Sequence, residues 1–141
     1  MEWLLIPNSN TKARKSKQYK MSEIANTKQY DLEDRTLKFA KDCRQFVKSV
    51  QKTVGNIEDT KQLIRSSGSV GANYIEANES FSKKDFILRV KISRKEAKET
   101  RYWLQLIDIN QDSNLDEKRL ELIKESTELM NIFGAIIRKS E

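Results

Sequence analysis

Residues 83–104 read Lys83-Lys84-Asp85-Phe86-Ile87-Leu88-Arg89-Val90-Lys91-Ile92-Ser93-Arg94-Lys95-Glu96-Ala97-Lys98-Glu99-Thr100-Arg101-Tyr102-Trp103-Leu104, and two secondary structures compete for them. Phe86, Leu88, Val90 and Ile92 alternate with Ile87, Arg89, Lys91 and Ser93, the period of two that belongs to a strand. The run then passes without a breaker into Lys95 to Arg101, made mostly of strong helix formers, and no partner strand appears elsewhere in the chain. Ser82, with Asp85 three residues later, has the form of a capping box in which Asp replaces the usual Glu. The stretch is therefore expected to be a helix over 83–109.

Outward from it, the chain keeps the same character. Four of the 141 residues are Gly and one is Pro; that one is Pro7, so no proline ring interrupts a helix after it. A first helix is expected over 32–54, where Leu37, Ala40, Cys43 with Arg44, Val47, Val50 and Val54 recur at spacings of three and four. Phe39, Cys43, Phe46 and Val50 form a parallel row. Gly55-Asn56 offers residues that tolerate a left-handed cap and turn. A second helix is expected over 58–78, with Leu63, Ile64, Ser67, Val70, Gly71, Tyr74, Ile75 and Phe81 on its apolar face. Its centre, Ser66 to Ala72, is rich in small residues; such a stretch either lets another backbone approach closely or interrupts the helix. After a polar link at Asn110 to Asn114, capped through Asn114 and Glu117, a fourth helix carries Leu120, Ile123, Thr127, Met130, Gly134 and Ile137 in one row. Leu122, Leu129, Phe133 and Ile136 lie beside that row. Four amphipathic helices on short links predict an all-α fold, an antiparallel up-down four-helix bundle over 31–141.

Residues 1–30 read differently, as a flexible basic tail: Trp3-Leu4-Leu5-Ile6, then Pro7, then polar sequence with Lys12, Arg14, Lys15, Lys17, Lys20 and Lys28. The apolar run is too short for a signal peptide and has no basic segment before it. The sequon Asn78-Glu79-Ser80 is then a chance match, and a cytoplasmic location is expected. Met21 is a candidate true start. Residues 1–20 carry five Lys or Arg and one Glu, so beginning at Met21 lowers the formal net charge from +6 to +2.

Composition also limits the chemistry. The absence of His removes imidazole as a base, a shuttle or a metal ligand. Cys43 is the only cysteine, which excludes an internal disulfide and any C-x-x-C motif, and it reads as an inert thiol on a helix face. Glu76/Glu79 and Glu96/Glu99 sit one helical turn apart, as in di-iron bundles, but those sites take Glu-x-x-His. Gly68-x-x-Gly71 lacks the Lys-Ser/Thr of a phosphate loop. No catalytic residue, no metal site and no cofactor is expected, no membrane span is long enough, and the chain reads as a non-enzyme.

What remains is surface. At about 100° per residue, Lys84, Lys91, Lys95, Lys98 and Tyr102 fall within about 60° of one another, with Lys83, Arg94 and Arg101 on the adjoining edge. Phe86, Val90, Ser93, Ala97, Thr100 and Leu104 point the opposite way. At 1.5 Å per residue, this stripe runs about 27 Å and suits a salt-sensitive contact with RNA or DNA phosphates. An ordinary solvated lysine face looks the same. On another side Ile92, Glu96, Glu99, Trp103 and Ile107 mix apolar and acidic groups. They suit either a subunit interface anchored by Trp103 or packing of Trp103 within its own bundle. Arg65 on the second helix can pair with Glu96 or Glu99 within the chain or across subunits.

Four blocks, in order, resemble a known family. They are Tyr30-Asp31-Leu32-Glu33-Asp34-Arg35-Thr36, Gln62-Leu63-Ile64-Arg65-Ser66-Ser67-Gly68-Ser69-Val70-Gly71-Ala72-Asn73-Tyr74-Ile75-Glu76-Ala77, Ser82-Lys83-Lys84-Asp85-Phe86-Ile87, and Lys95-Glu96-Ala97-Lys98-Glu99-Thr100-Arg101-Tyr102-Trp103-Leu104. The family is the bacterial four-helix-bundle proteins encoded in intervening sequences of 23S rRNA genes. The accessory variability determinants of diversity-generating retroelements are its distant relatives. The resemblance covers 30–141. It implies a bundle assembling into a ring-like homopentamer with no catalytic residues to carry over. In the retroelement relatives, it implies a basic surface that meets nucleic acid and a reverse transcriptase. The expected function is thus a non-catalytic, homo-oligomeric nucleic-acid-associating bundle. The alternative is a protein-interaction scaffold or accessory subunit whose lysines only keep it soluble.

Overall fold

The computed structural model describes residues 32–141; the expected tail at 1–30, the start at Met21 and Asp31 lie outside the described residues. Among the described residues there are four helices and no strand. They are α1 over residues 32–48, α2 at Val54–Asn78, α3 at Lys83–Leu106 and α4 at Ser113–Ser140. The competition over 83–104 is settled by burial: Phe86, Val90, Ser93, Ala97, Thr100 and Leu104, at helical spacings of four and three, face the core. Leu88, from the alternating set, is left 55% exposed. Ser82 caps α3 as its capping box predicts, its side chain accepting from the Asp85 N–H at 3.1 Å.

Successive helices run antiparallel. The Val70 carbonyl of α2 accepts from Ser93 of α3 at 2.9 Å, and Asn73, one turn further along α2, accepts from Arg89, one turn earlier on α3. Arg101 of α3 donates to Thr127 of α4 at 3.1 Å. Arg35 closes α1 onto α4 with a two-pronged pair, Nε to Glu125 Oε2 at 2.8 Å and Nη2 to Glu125 Oε1 at 2.6 Å, and Nη2 also reaches Glu128 at 3.1 Å. The planar fork matches the carboxylate, so this pair fixes geometry as well as charge. Between the helices, Phe39, Phe86 and Phe133 are fully buried with Leu63, Leu104 and Leu129. Burial of each such side chain contributes about 1.5–3 kcal/mol.

The small-residue centre of α2 is continuous helix, and its use is close approach. A Cβ at Gly71 would lie 2.8 Å from Thr36 Oγ1 and 3.7 Å from the Thr36 backbone carbon. Ser66 and Thr100 join their hydroxyls at 2.9 Å inside the α2–α3 contact.

Several boundaries depart from expectation. The first helix ends at residue 48 and not at 54, because Thr53 takes the N-cap of α2 and accepts from the Asn56 N–H. Val54 therefore opens α2, 84% exposed, instead of closing α1. Gly55-Asn56 forms no left-handed turn; both residues lie in the first turns of α2. Buried Asn56 donates to Gln51 O at 2.9 Å and Asp108 O at 2.8 Å, and accepts from Asp108 N at 3.0 Å. It fastens the α1–α2 link to the α3–α4 link at one end of the bundle. The third helix stops at Leu106 rather than 109, since Asn110 and Gln111 adopt positive φ (52° and 60°) to reverse the chain. Asp112, not Asn114, caps α4, accepting from the N–H groups of Asn114 and Leu115. Leu37, Ile75, Phe81 and Leu120, expected on apolar faces, are exposed. Leu37, Ile75 and Leu120 lie at the margins of their helices' apolar stripes, and Phe81 falls in the link after α2 has ended. Among the described residues, no helix is long and apolar enough to cross a membrane.

Candidate nucleic-acid interface

α3 lies between α2 and α4, held to α2 by Ser93 and Arg65 and to α4 by Arg101. With its core side so occupied, the opposite side is free, and the sequence stripe emerges there. Lys83, Lys84, Lys91, Arg94, Lys95, Lys98 and Tyr102 are exposed, while Arg101 is half-buried and turned onto Thr127. Lys91 Nζ lies 3.9 Å from Glu141 at the end of α4, an exposed pair of little energetic weight. Among the described residues, Lys84, Arg94, Lys95 and Lys98 form no ion pair. From Lys84 to Lys98 the row spans about 21 Å of helix axis. Ammonium groups at this spacing can neutralise several phosphates in register without reading bases.

Sequence reasoning missed two apolar residues on this side and misplaced a third near its start. Leu88 and Leu106 are 55% and 49% exposed and fall about 40° from Lys84 on the helix. Phe81, expected in the core, is fully exposed in the α2–α3 link. Leu88 and Leu106 were findable on the same helical wheel as the lysines. Phe81 was hidden by the assumption that a large apolar side chain near a helix end continues its buried face.

Residues of the expected subunit face also make contacts within the chain. Arg65 Nη1 donates to Glu96 Oε2 at 3.0 Å and its Nη2 pairs with Glu99, so both carboxylates already have a partner on α2. Glu96 is buried. Ile107 is also buried, and Ile92 is half-buried. Trp103 packs against the chain's own core and meets Tyr102 edge to face at 5.1 Å between centroids. Its Nε1 is shielded from solvent and has no hydrogen-bond partner.

Reactive chemistry is muted. Burial pushes the Cys43 thiol up to about 12, so the thiolate is scarce at neutral pH. Burial likewise pushes the Tyr74 hydroxyl up to about 12. Among the described residues, no three of Cys, Asp or Glu gather in an arrangement that would hold a metal ion.

Comparison with known proteins bears on the same helices. Residues 28–135 match the family model described as 23S rRNA-intervening sequence protein. The crystal structure of a protein of unknown function of the S23 ribosomal protein family from Bacteroides thetaiotaomicron VPI-5482 is similar, with a TM-score of 0.65 and 34% identity. That similarity covers 75% of this chain and 97% of the other. Among curated proteins, none matches the chain.

Proposed function

The chain belongs to the 23S rRNA-intervening sequence protein family, and from that premise and the lysine face of α3 we propose that it is a non-catalytic, cytoplasmic bundle that binds RNA or DNA through this face. The observation that carries the reading is the row Lys84, Lys91, Lys95 and Lys98, exposed along one side of α3 directly opposite its buried side. Assembly into a homopentamer, which the family resemblance implies, would repeat the row around a ring and raise avidity without any new contact. The resemblance to retroelement accessory proteins read from the sequence implies the same use.

The test is charge reversal. Lys84, Lys91, Lys95 and Lys98 changed together to Glu abolish oligonucleotide binding while the helical circular dichroism spectrum is retained; binding that survives the change refutes the reading. A second reading, a scaffold for a partner protein, is favoured by a different feature. Leu37 and Ile75 are exposed on either side of a groove floored by Gly68, Gly71 and Ala72 between α1 and α2. Wild-type protein that fails to bind nucleic acid at low salt moves the scaffold reading to the front.

A further inference from the structure

We propose that the α3 face is specific for single-stranded nucleic acid, with Phe81 and Tyr102 as base-stacking platforms at the two ends of the lysine row. The proposal rests on the reading of this face as a phosphate contact and adds which form of nucleic acid it takes. Phe81 is 100% exposed and immediately precedes Ser82, the N-cap of α3. A ring wholly in water, in a bundle that buries its other described phenylalanines, gains nothing from its place in the fold. Tyr102 is 55% exposed and, at about 100° per residue, lies in line with Lys84 and within about 20° of Lys91 and Lys95. Tyr102 thus closes one end of the lysine row, about 27 Å along the axis from Lys84, and Phe81 stands in the link just before the other end.

Aromatic rings beside cations gain little on an undistorted duplex, whose base faces are already stacked, so that inserting a ring costs unstacking. A single strand exposes base faces beside its phosphates, and each stacks on a ring with little regard to sequence. The cations support the same tolerance: lysine is a point charge and lacks the planar fork by which arginine reads guanine edges. Leu88 adds apolar surface between Lys84 and Lys91.

The experiment uses the full chain and fluorescence anisotropy at fixed salt. The probes are a labelled mixed-sequence single strand of about 12 nucleotides, within the usual site sizes, a duplex of the same sequence, and vesicles of phosphatidylcholine with phosphatidylserine. The proteins are wild type, Phe81→Ala, Tyr102→Ala, the double variant and Tyr102→Phe. Expected are tighter binding to the single strand than to the duplex, and a loss of about fivefold or more on the single strand for each ring removed. Duplex affinity is unchanged, and Tyr102→Phe retains wild-type affinity because the ring remains. A double variant that binds the single strand as wild type does overturns the stacking proposal while leaving the phosphate reading standing. Absence of salt-sensitive binding to either nucleic acid overturns both. Vesicle binding that depends on Phe81, without oligonucleotide binding, assigns the ring to a lipid surface and overturns the proposal.

Discussion

The same substitution at two glycines of α2 should have opposite effects. Replacing a helical Gly by Ala gains up to about 1 kcal/mol from backbone propensity alone. At Gly55 a new Cβ meets nothing within 4 Å, so that gain is realised. At Gly71 it would sit 2.8 Å from Thr36 Oγ1, closer than real Cβ atoms approach, and 3.1 Å from Thr36 Cβ, tighter than most of them. Thr36 has no room to retreat: it is 1% exposed and its hydroxyl donates to Glu33 O at 2.9 Å. Overpacking of this kind costs about 1–3 kcal/mol, which exceeds or cancels the propensity gain. Gly55→Ala should therefore be stabilised by up to about 1 kcal/mol, and Gly71→Ala should lose up to about 2 kcal/mol. Urea unfolding followed by circular dichroism measures both, at one protein concentration because the stability of an oligomer depends on concentration. If Gly71→Ala is stabilised as much as Gly55→Ala, α1 does not cross α2 at Thr36 and the packing described here is wrong.

Three further outcomes follow from particular contacts. Asn56→Ala removes three hydrogen bonds, two to Asp108 in the α3–α4 link and one to Gln51 in the α1–α2 link, and should cost about 3 kcal/mol at roughly 1 kcal/mol each; a urea midpoint within error of wild type contradicts the role. The Cys43 thiol, raised by burial from 9.0 to about 12, holds its proton in the fold while the unfolded chain loses it. Its stabilising contribution is complete below pH 9 and falls between pH 9 and about 12, by up to about 1.4 kcal/mol per pH unit. Tyr74, raised from 10.0 to about 12, steepens the fall above pH 10. In Cys43→Ala the loss between pH 9 and 10 disappears, and a wild-type slope there refutes the assignment. Trp103→Ala should lower stability by about 2 kcal/mol, less than the loss for a fully buried ring, with no change in sedimentation mass. A lower mass at wild-type stability would return Trp103 to a subunit contact.

The helices were legible in the sequence because their buried rows keep one period over many turns. Phe86 through Leu104 follow it without exception, and Phe39, Cys43, Phe46 and Val50 do so on α1. Ends were less legible, since Gly, Asn, Thr and Asp all serve in caps and turns and a local pattern does not say which prevails. Thr53 displaced Gly55-Asn56, and Asp112 displaced Asn114, through hydrogen bonds of two to three residues' reach. Asn56 was illegible for a stronger reason: two of its three bonds go to Asp108, 52 residues away. A wheel also gives the direction of an apolar face but not its covered width, so Leu37, Ile75 and Leu120 sit at the margin and stay exposed, while Phe81 lies past the end of the helix. The lysine face was legible because it is defined by opposition to a well-kept core row. Arg65 with Glu96 and Glu99 was legible as a set of complementary charges, but only the fold places them on facing helices of one chain.

The measurement that bears most directly on the central claim is the salt dependence of oligonucleotide binding by residues 21–141 beside that of the full chain. Four lysine–phosphate contacts on α3 predict a slope of log K against log salt near −3 for a single strand, about −0.7 per contact, and the slope persists when residues 1–20 are removed. If binding and its slope vanish with those twenty residues, the cations that matter are the basic residues of the N-terminal stretch, and the α3 face is only a solvated surface.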